Sequence, residues 1–194
     1  RDGELPAEIT TFVLAVKPKD IEEAISDWRG AIGRAGDDAV VISIAAGVES
    51  EQIRASLPDE ASLVRGMPNT PAMVGAGVTG IWSQSEMALA RAETIFSAVG
   101  EVVHLSKEGD FDALTAMSGS GPAYVFLAIE ALADGGVAEG LDRQTAMTLA
   151  VETLRGASEL AAESGDHPGQ LKDAVTSPGG TTAAGLRSLE KDGF

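Results

Sequence analysis

The stretch Asp38–Val48, DAVVISIAAGV, decides the fold class. A short, nearly continuous apolar run rich in Val and Ile is the pattern of a strand covered on both faces, and it breaks into Ala-Ala-Gly instead of a polar turn. Upstream, Thr11–Pro18 (TFVLAVKP) has the same character and stops at Lys17-Pro18. Between the two, residues 19–36 predict a helix with Ile21, Ala24, Ile25, Trp28 and Ile32 on one face and Gly36 as its stop. Downstream, a short helix is predicted from Glu49 to Leu57, and a third strand opens at Ser62 and breaks at Met67-Pro68-Asn69-Thr70-Pro71. An extended piece follows. The next predicted helix has Ser83 and Glu86 at capping-box spacing and Gly100 at its end, and EVVHLS is the last strand-like segment. Strand and helix alternate as in a parallel sheet with helices on its faces.

After Ser106 the period changes, and residues 108–194 read as helices punctuated by SGSGP, EGLD and ESGDHPGQ. The run from Pro122 to Gly136 is nearly apolar all round, with Tyr124, Phe126, Leu127, Ile129 and Leu132. Such a helix must be covered on most sides, and so thin a helical core predicts packing against a second subunit. The chain is therefore divided into residues 1–106 and 107–194.

Composition excludes several function classes. Fourteen basic against thirty acidic residues, a net charge of −16, repel nucleic-acid backbones and anionic membranes. No apolar run approaches the ~20 residues of a spanning helix, and the chain reads as soluble and cytoplasmic. With no cysteine, and with His104 and His167 far apart in sequence, neither a disulfide nor a metal site is expected.

Ligands of open parallel sheets bind beyond the carboxyl ends of the strands. The predicted ends are Lys17-Pro18, Ala45-Ala46-Gly47 and the Met67–Pro71 break, and three unusual ends on one sheet edge favour a ligand over plain turn chemistry. Gly75–Gly80 (GAGVTG) matches the dinucleotide fingerprint by letters, with Glu101 near the ribose-acid spacing. It is rejected, because two prolines precede it and no helix opens within it. A complete mononucleotide half needs a βαβ unit of about 30 residues or more, so the first half of a dinucleotide domain is expected to be absent from this chain.

In the helical part, Thr176–Thr182 (TSPGGTT) precedes an amphipathic run. Ser177 is read as N-cap and Pro178 as a first-turn residue. That leaves the N–H groups of Gly180, Thr181 and Thr182, with the helix dipole, for a carboxylate or phosphate, and the Thr182 hydroxyl for a second ligand atom. Ser118–Tyr124 (SGSGPAY) repeats the arrangement, and close packing at its glycines is the favoured reading there.

The segments AVKP, AAGV, MPNTP, SGSGPAY, EALADGGV, HPGQLKD and TSPGGTT occur in this order along the whole chain, which resembles the pyrroline-5-carboxylate reductases. The resemblance implies a Rossmann domain followed by a helical domain that interlocks with a partner subunit as a homodimer, with a larger ring open. It implies hydride transfer from NADPH, or NADH in some members, to a cyclic imino acid, giving L-proline. The positions matching the cofactor segments are Ala15, Val16, Lys17, Pro18, Ile44, Ala45 and Ala46, with Asn69 near the nicotinamide. The substrate carboxylate would lie on Gly180, Thr181 and Thr182. Ser177 and Thr182 would be the catalytic-site hydroxyls, and Glu108 an acid near the substrate. Two rival readings stand beside it. One is an inactive fragment that serves only dimerisation and carboxylate binding. The other is a related Rossmann reductase of imines or hydroxy acids using Lys172, which reads instead as a salt-bridging surface residue.

Overall fold

The structure, a computed structural model, describes Pro6 and residues 8–193. Five strands, β1 (Thr11–Leu14), β2 (Val40–Ser43), β3 (Ser62–Met67), β4 (Gly77–Trp82) and β5 (Gly100–His104), form one sheet in sequential order. Helices α1 (Ile21–Ala35), α2 (Ser50–Arg54) and α3 (Glu86–Phe96) connect them. The first two ladders and the last are parallel, as the alternation of elements predicts.

The β3–β4 ladder is antiparallel, a departure from the all-parallel expectation. Its cause is chain length. A parallel return needs a crossover of a dozen or more residues, and residues 68–76 hold only a short 3-10 turn at Thr70–Val74.

β2 is buried along its whole length, and its two faces feed two separate cores. Val41 joins Phe12, Leu14, Ile25, Ile32, Ile53 and Leu63 beneath α1 and α2. Val40 and Ile42 join Val64, Ile81, Ala88, Ala92 and Phe96 beneath α3. Helices on both faces of the sheet make this a doubly wound unit. The sequence predicts a β1 buried on both faces, but only alternate residues are buried, because it pairs with β2 alone among the described residues. Trp28, predicted on the buried stripe of α1, lies at its margin and is 36% exposed, while Ile21, Ile25 and Ile32 form the stripe.

The N-cap of α3 is Ser85, whose hydroxyl accepts from the Ala88 amide at 3.3 Å. Ser83, expected in that role, instead donates to the Leu63 carbonyl at 2.7 Å and ties the loop to β3. Gly100, expected to close α3, opens β5 with φ +144.

After His104 no further strand occurs among the described residues. The helices are α4 (Phe111–Leu114), running into a π-helical turn at Thr115–Gly119, then α5 (Gly121–Ala138), α6 (Arg143–Ser164), α7 (Pro168–Ala174) and α8 (Thr181–Lys191). Compactness divides the chain into residues 1–124 and 125–194, and each unit is described by itself. In the second, α5 and α6 meet at small residues: Ala133, Ala146 and Ala150 are buried, and a side chain on Gly136 would stand 3.2 Å from the Ala146 methyl. Local caps explain two of the sequence punctuations. Asp142 accepts from the Thr145 amide at 3.0 Å to start α6. In the HPGQ segment, His167 Nδ1 accepts from the Gly169 amide and Gln170 accepts from the His167 amide, a capping box that opens α7.

Candidate active site

In the first unit a cavity of about 270 Å³ opens at the carboxyl edge of the sheet. Its walls are Ala45, Ala46 and Gly47 beyond β2, Arg65, Gly66 and Met67 at the end of β3, and Phe111, Asp112, Thr115, Ala116 and Ser120 from α4 and the π-helical turn. The position is where a doubly wound sheet places its ligand. Gly47 has φ +73 and open space where a Cβ would stand, so the chain turns there without shielding the backbone. Small residues at a strand end fit a dinucleotide, which needs close approach to main-chain atoms. Ile44, half-buried, hydrogen-bonds through its amide to the Leu14 carbonyl, so the β1 end lies beside the β2 end. Ala15, Val16, Lys17 and Pro18 follow that end and are exposed.

One carboxylate joins three segments around the cavity. Glu108 Oε1 accepts from the Ser50 amide and from the Arg65 guanidinium, each at 2.6 Å, and Oε2 accepts from the Ser50 hydroxyl at 2.6 Å. Burial pushes the Glu108 carboxyl up. The Ser50 hydroxyl, the Arg65 guanidinium and the Ser50 amide outweigh that effect and hold the group below its ordinary range. Arg65 is only 8% exposed, and its guanidinium carbon stands 4.3 Å from the centre of the Phe111 ring. Stacking and ion pairing together satisfy a cation inside the fold. Among the described residues no buried side-chain nitrogen or oxygen lacks a partner.

Asn69, at the mouth of the β3–β4 connection, uses both ends of its amide. Nδ2 donates to the Ser118 carbonyl at 3.1 Å and to its hydroxyl at 3.2 Å, while Oδ1 accepts from the Val78 amide at 2.9 Å. The SGSGP segment thereby docks on the sheet edge, and Gly119 lies against Met67, where a Cβ would stand 3.2 Å from the Met67 methyl. Packing at a glycine is thus present there. The same segment also lends Ser120 to the cavity wall, and π-helical turns recur at functional sites.

The Ser177–Thr182 loop belongs to the second unit. The structure corrects its predicted capping: α8 starts at Thr181, with Gly180 as N-cap, so Ser177 is not the cap and Pro178 is not helical. Ser177–Gly180 forms a turn of its own, in which the Gly180 amide donates to the Ser177 carbonyl at 3.0 Å. Pro at the second position and Gly179 with φ +73 at the third are the residues a type II turn requires. The Gly180 N–H is therefore consumed in the turn, and the amides of Thr181, Thr182 and Ala183 are those the helix start leaves free of intrahelical partners. Ser177, Thr181 and Thr182 are all exposed. Lys172 lies 4.0 Å from Glu190, a surface ion pair between α7 and α8.

The sequence points to Asn69 and the Ala-Ala-Gly turn, and the family resemblance to Glu108, but neither points to Ser50 or Arg65. The available signal was Arg65 itself, a cation in the middle of a predicted buried strand.

A doubly wound sheet with a strand-end cavity, followed by helices, is the layout of dinucleotide-dependent oxidoreductases. The family profile described as pyrroline-5-carboxylate reductase dimerisation matches residues 108–194. A pyrroline-5-carboxylate reductase of Synechocystis is 51% identical over 186 residues, 94% of this chain and 67% of that protein. Among solved structures, the pyrroline-5-carboxylate reductase of Coxiella burnetii is 38% identical with a TM-score of 0.89, covering 96% of this chain and 69% of that one. The pyrroline carboxylate reductase of Plasmodium falciparum, solved with NADP bound, is 36% identical with a TM-score of 0.82, covering 97% and 71%. This chain belongs to the pyrroline-5-carboxylate reductase family.

Proposed function

We infer that the chain reduces 1-pyrroline-5-carboxylate to L-proline with NAD(P)H, as the last step of proline biosynthesis. The observation that carries this reading is the match to a reductase at 51% identity through 94% of the chain, both units included. The strand-end cavity in the first unit and the Pro-Gly turn before α8 in the second are the two ligand-competent features that this chemistry needs.

The proposed cofactor residues are Ala15, Val16, Lys17, Pro18, Ile44, Ala45 and Ala46, with Asn69 near the nicotinamide. Ala45 and Ala46 line the cavity. NAD(P)H bound at this edge supplies the hydride. The residues of the chain have to hold the imino acid and manage one proton, so positioning carries most of the catalysis. The Thr181 and Thr182 amides at the start of α8 are proposed to hold the substrate carboxylate, aided by the helix dipole. Gly180 contributes the extended N-cap conformation, φ −79 and ψ 172, instead of its own N–H. The Thr182 hydroxyl is proposed to stand near the imine nitrogen. A threonine is too weak an acid to protonate it directly and orients a water that relays the proton from solvent. Ser177 is proposed to line the substrate site.

The match of the dimerisation profile from residue 108 supports a functional boundary at residues 106 and 107. It also supports a homodimer formed through the helical part. A larger ring is proposed as the further assembly. A cytoplasmic location suits this biosynthetic role. Among the described residues no helix is long and apolar enough to cross a membrane.

The test is an assay of NADPH oxidation with the cyclic imino acid, paired with a titration of L-proline against thermal unfolding. Ring-specific stabilisation is expected, about 2.7 kcal/mol at a hundredfold excess over Kd, and Thr182→Ala abolishes both signals. A folded dimer that neither turns over nor responds to proline would favour the dimerisation-module reading.

A further inference from the structure

We propose that Glu108 is a positioning residue, clamping the α4 and π-helical wall of the strand-end cavity to the Ala45–Gly47 turn through Ser50 and to the β3 floor through Arg65. The proposal rests on the reductase reading of the same cavity. A direct role on substrate, expected for Glu108 from sequence, gives way here to one exerted through its neighbours.

The geometry supports a clamp. Ser50 opens α2, immediately after the segment that carries Ala45, Ala46 and Gly47, and gives Glu108 both its amide and its hydroxyl at 2.6 Å. Arg65 lies in β3, lines the cavity and meets the same carboxylate at 2.6 Å. Glu108 begins the 3-10 turn that leads directly into Phe111 and Asp112, and the helix continues to Thr115 and Ala116 on the opposite wall. Phe111, under the Arg65 guanidinium at 4.3 Å, repeats the link with an apolar contact. One carboxylate thus joins segments 58 and 43 residues apart in sequence. Ion pairs sheltered from water add little net stability over a well-packed apolar replacement. What these directional bonds contribute is a fixed spacing between the walls, and a shift of about 1 Å in a reacting geometry can cost about a hundredfold in rate.

The test compares Glu108→Ala, Glu108→Gln and the double variant Arg65→Met/Glu108→Leu in the full chain. Glu108→Ala is expected to lower kcat about 10- to 100-fold while KM for the imino acid and NADPH changes less than about threefold, the signature of lost transition-state alignment. Glu108→Gln, which can still bond Ser50, is expected to recover part of kcat. The double variant leaves no unpaired cation and is expected to regain the thermal stability lost in Glu108→Ala, yet keep the low kcat. A kcat that returns together with stability would reduce the network to a structural role and overturn the proposal, as would an unchanged kcat in Glu108→Ala. If the wild-type chain shows no turnover, the reductase reading fails and the clamp is read by amide hydrogen exchange alone. Faster exchange across residues 111–120 in Glu108→Ala supports the clamp, and unchanged exchange overturns it.

Discussion

At the scale of single residues, the loop before α8 shows how two glycines in succession do different work. Gly179 sits at φ +73, where an L side chain is strained, whereas Gly180 is extended and its missing Cβ leaves room for the Ser177 hydroxyl. Gly179→Ala should therefore cost about 1–2 kcal/mol in stability and misplace the Thr181 and Thr182 amides, raising KM for the imino acid. Urea unfolding and steady-state kinetics check the two effects separately. Asn69 is a second case. Its amide is saturated by Val78 and Ser118, so Asn69→Ala strands a main-chain donor and should destabilise the first unit by about 1–3 kcal/mol. The expected readout is a lowered urea midpoint with an unchanged slope. The MPNTP motif was legible as a site signal, but its tie to Ser118, 49 residues on, was not, because sequence carries no record of which distant groups meet.

At the scale of elements, the entry into β5 after α3 depends on one backbone position. Gly100 has φ +144, and a Cβ there would collide with the Gly77 main chain, so nothing flexible can yield. Gly100→Ala should disrupt the β4–β5 ladder and lower Tm, by about 2–4 °C for each 1 kcal/mol lost. The joint between α2, β3 and the Glu108 turn makes a prediction about pH. The folded state holds the Glu108 carboxyl below its ordinary value, so its contribution is complete above the ordinary range of a glutamate carboxyl and is lost as pH falls through the lower folded value. Wild type and Glu108→Gln should therefore differ in unfolding free energy at neutral pH and converge as the medium becomes acidic. Equilibrium denaturation at a series of pH values reads that convergence.

At the scale of the whole molecule, the second unit has little interior of its own. Among the described residues its buried core is three alanines, while on α5 Phe126 is 61% exposed and Leu127 65%. Apolar surface of that extent marks an interaction face, and the dimerisation profile covers it. Phe126→Glu/Leu127→Glu should shift the protein from dimer to monomer in sedimentation velocity, with a lower and concentration-independent Tm.

The sequence by itself determined the doubly wound sheet, the change to helices after Ser106 and the family, because these follow from local periodicity and from ordered motifs. It also located the strand-end turns and the Pro-Gly loop, because Gly and Pro mark backbone geometry wherever they stand. Only the tertiary structure decided that β4 runs antiparallel, where a short connection overrides the alternation of elements. It likewise moved the start of α8 to Thr181, where a turn competes with the helix for the Gly180 amide. And it paired Glu108 with Ser50 and Arg65, a choice made by burial: a cation inside a strand must find its counter-charge in space, wherever in the chain that charge lies.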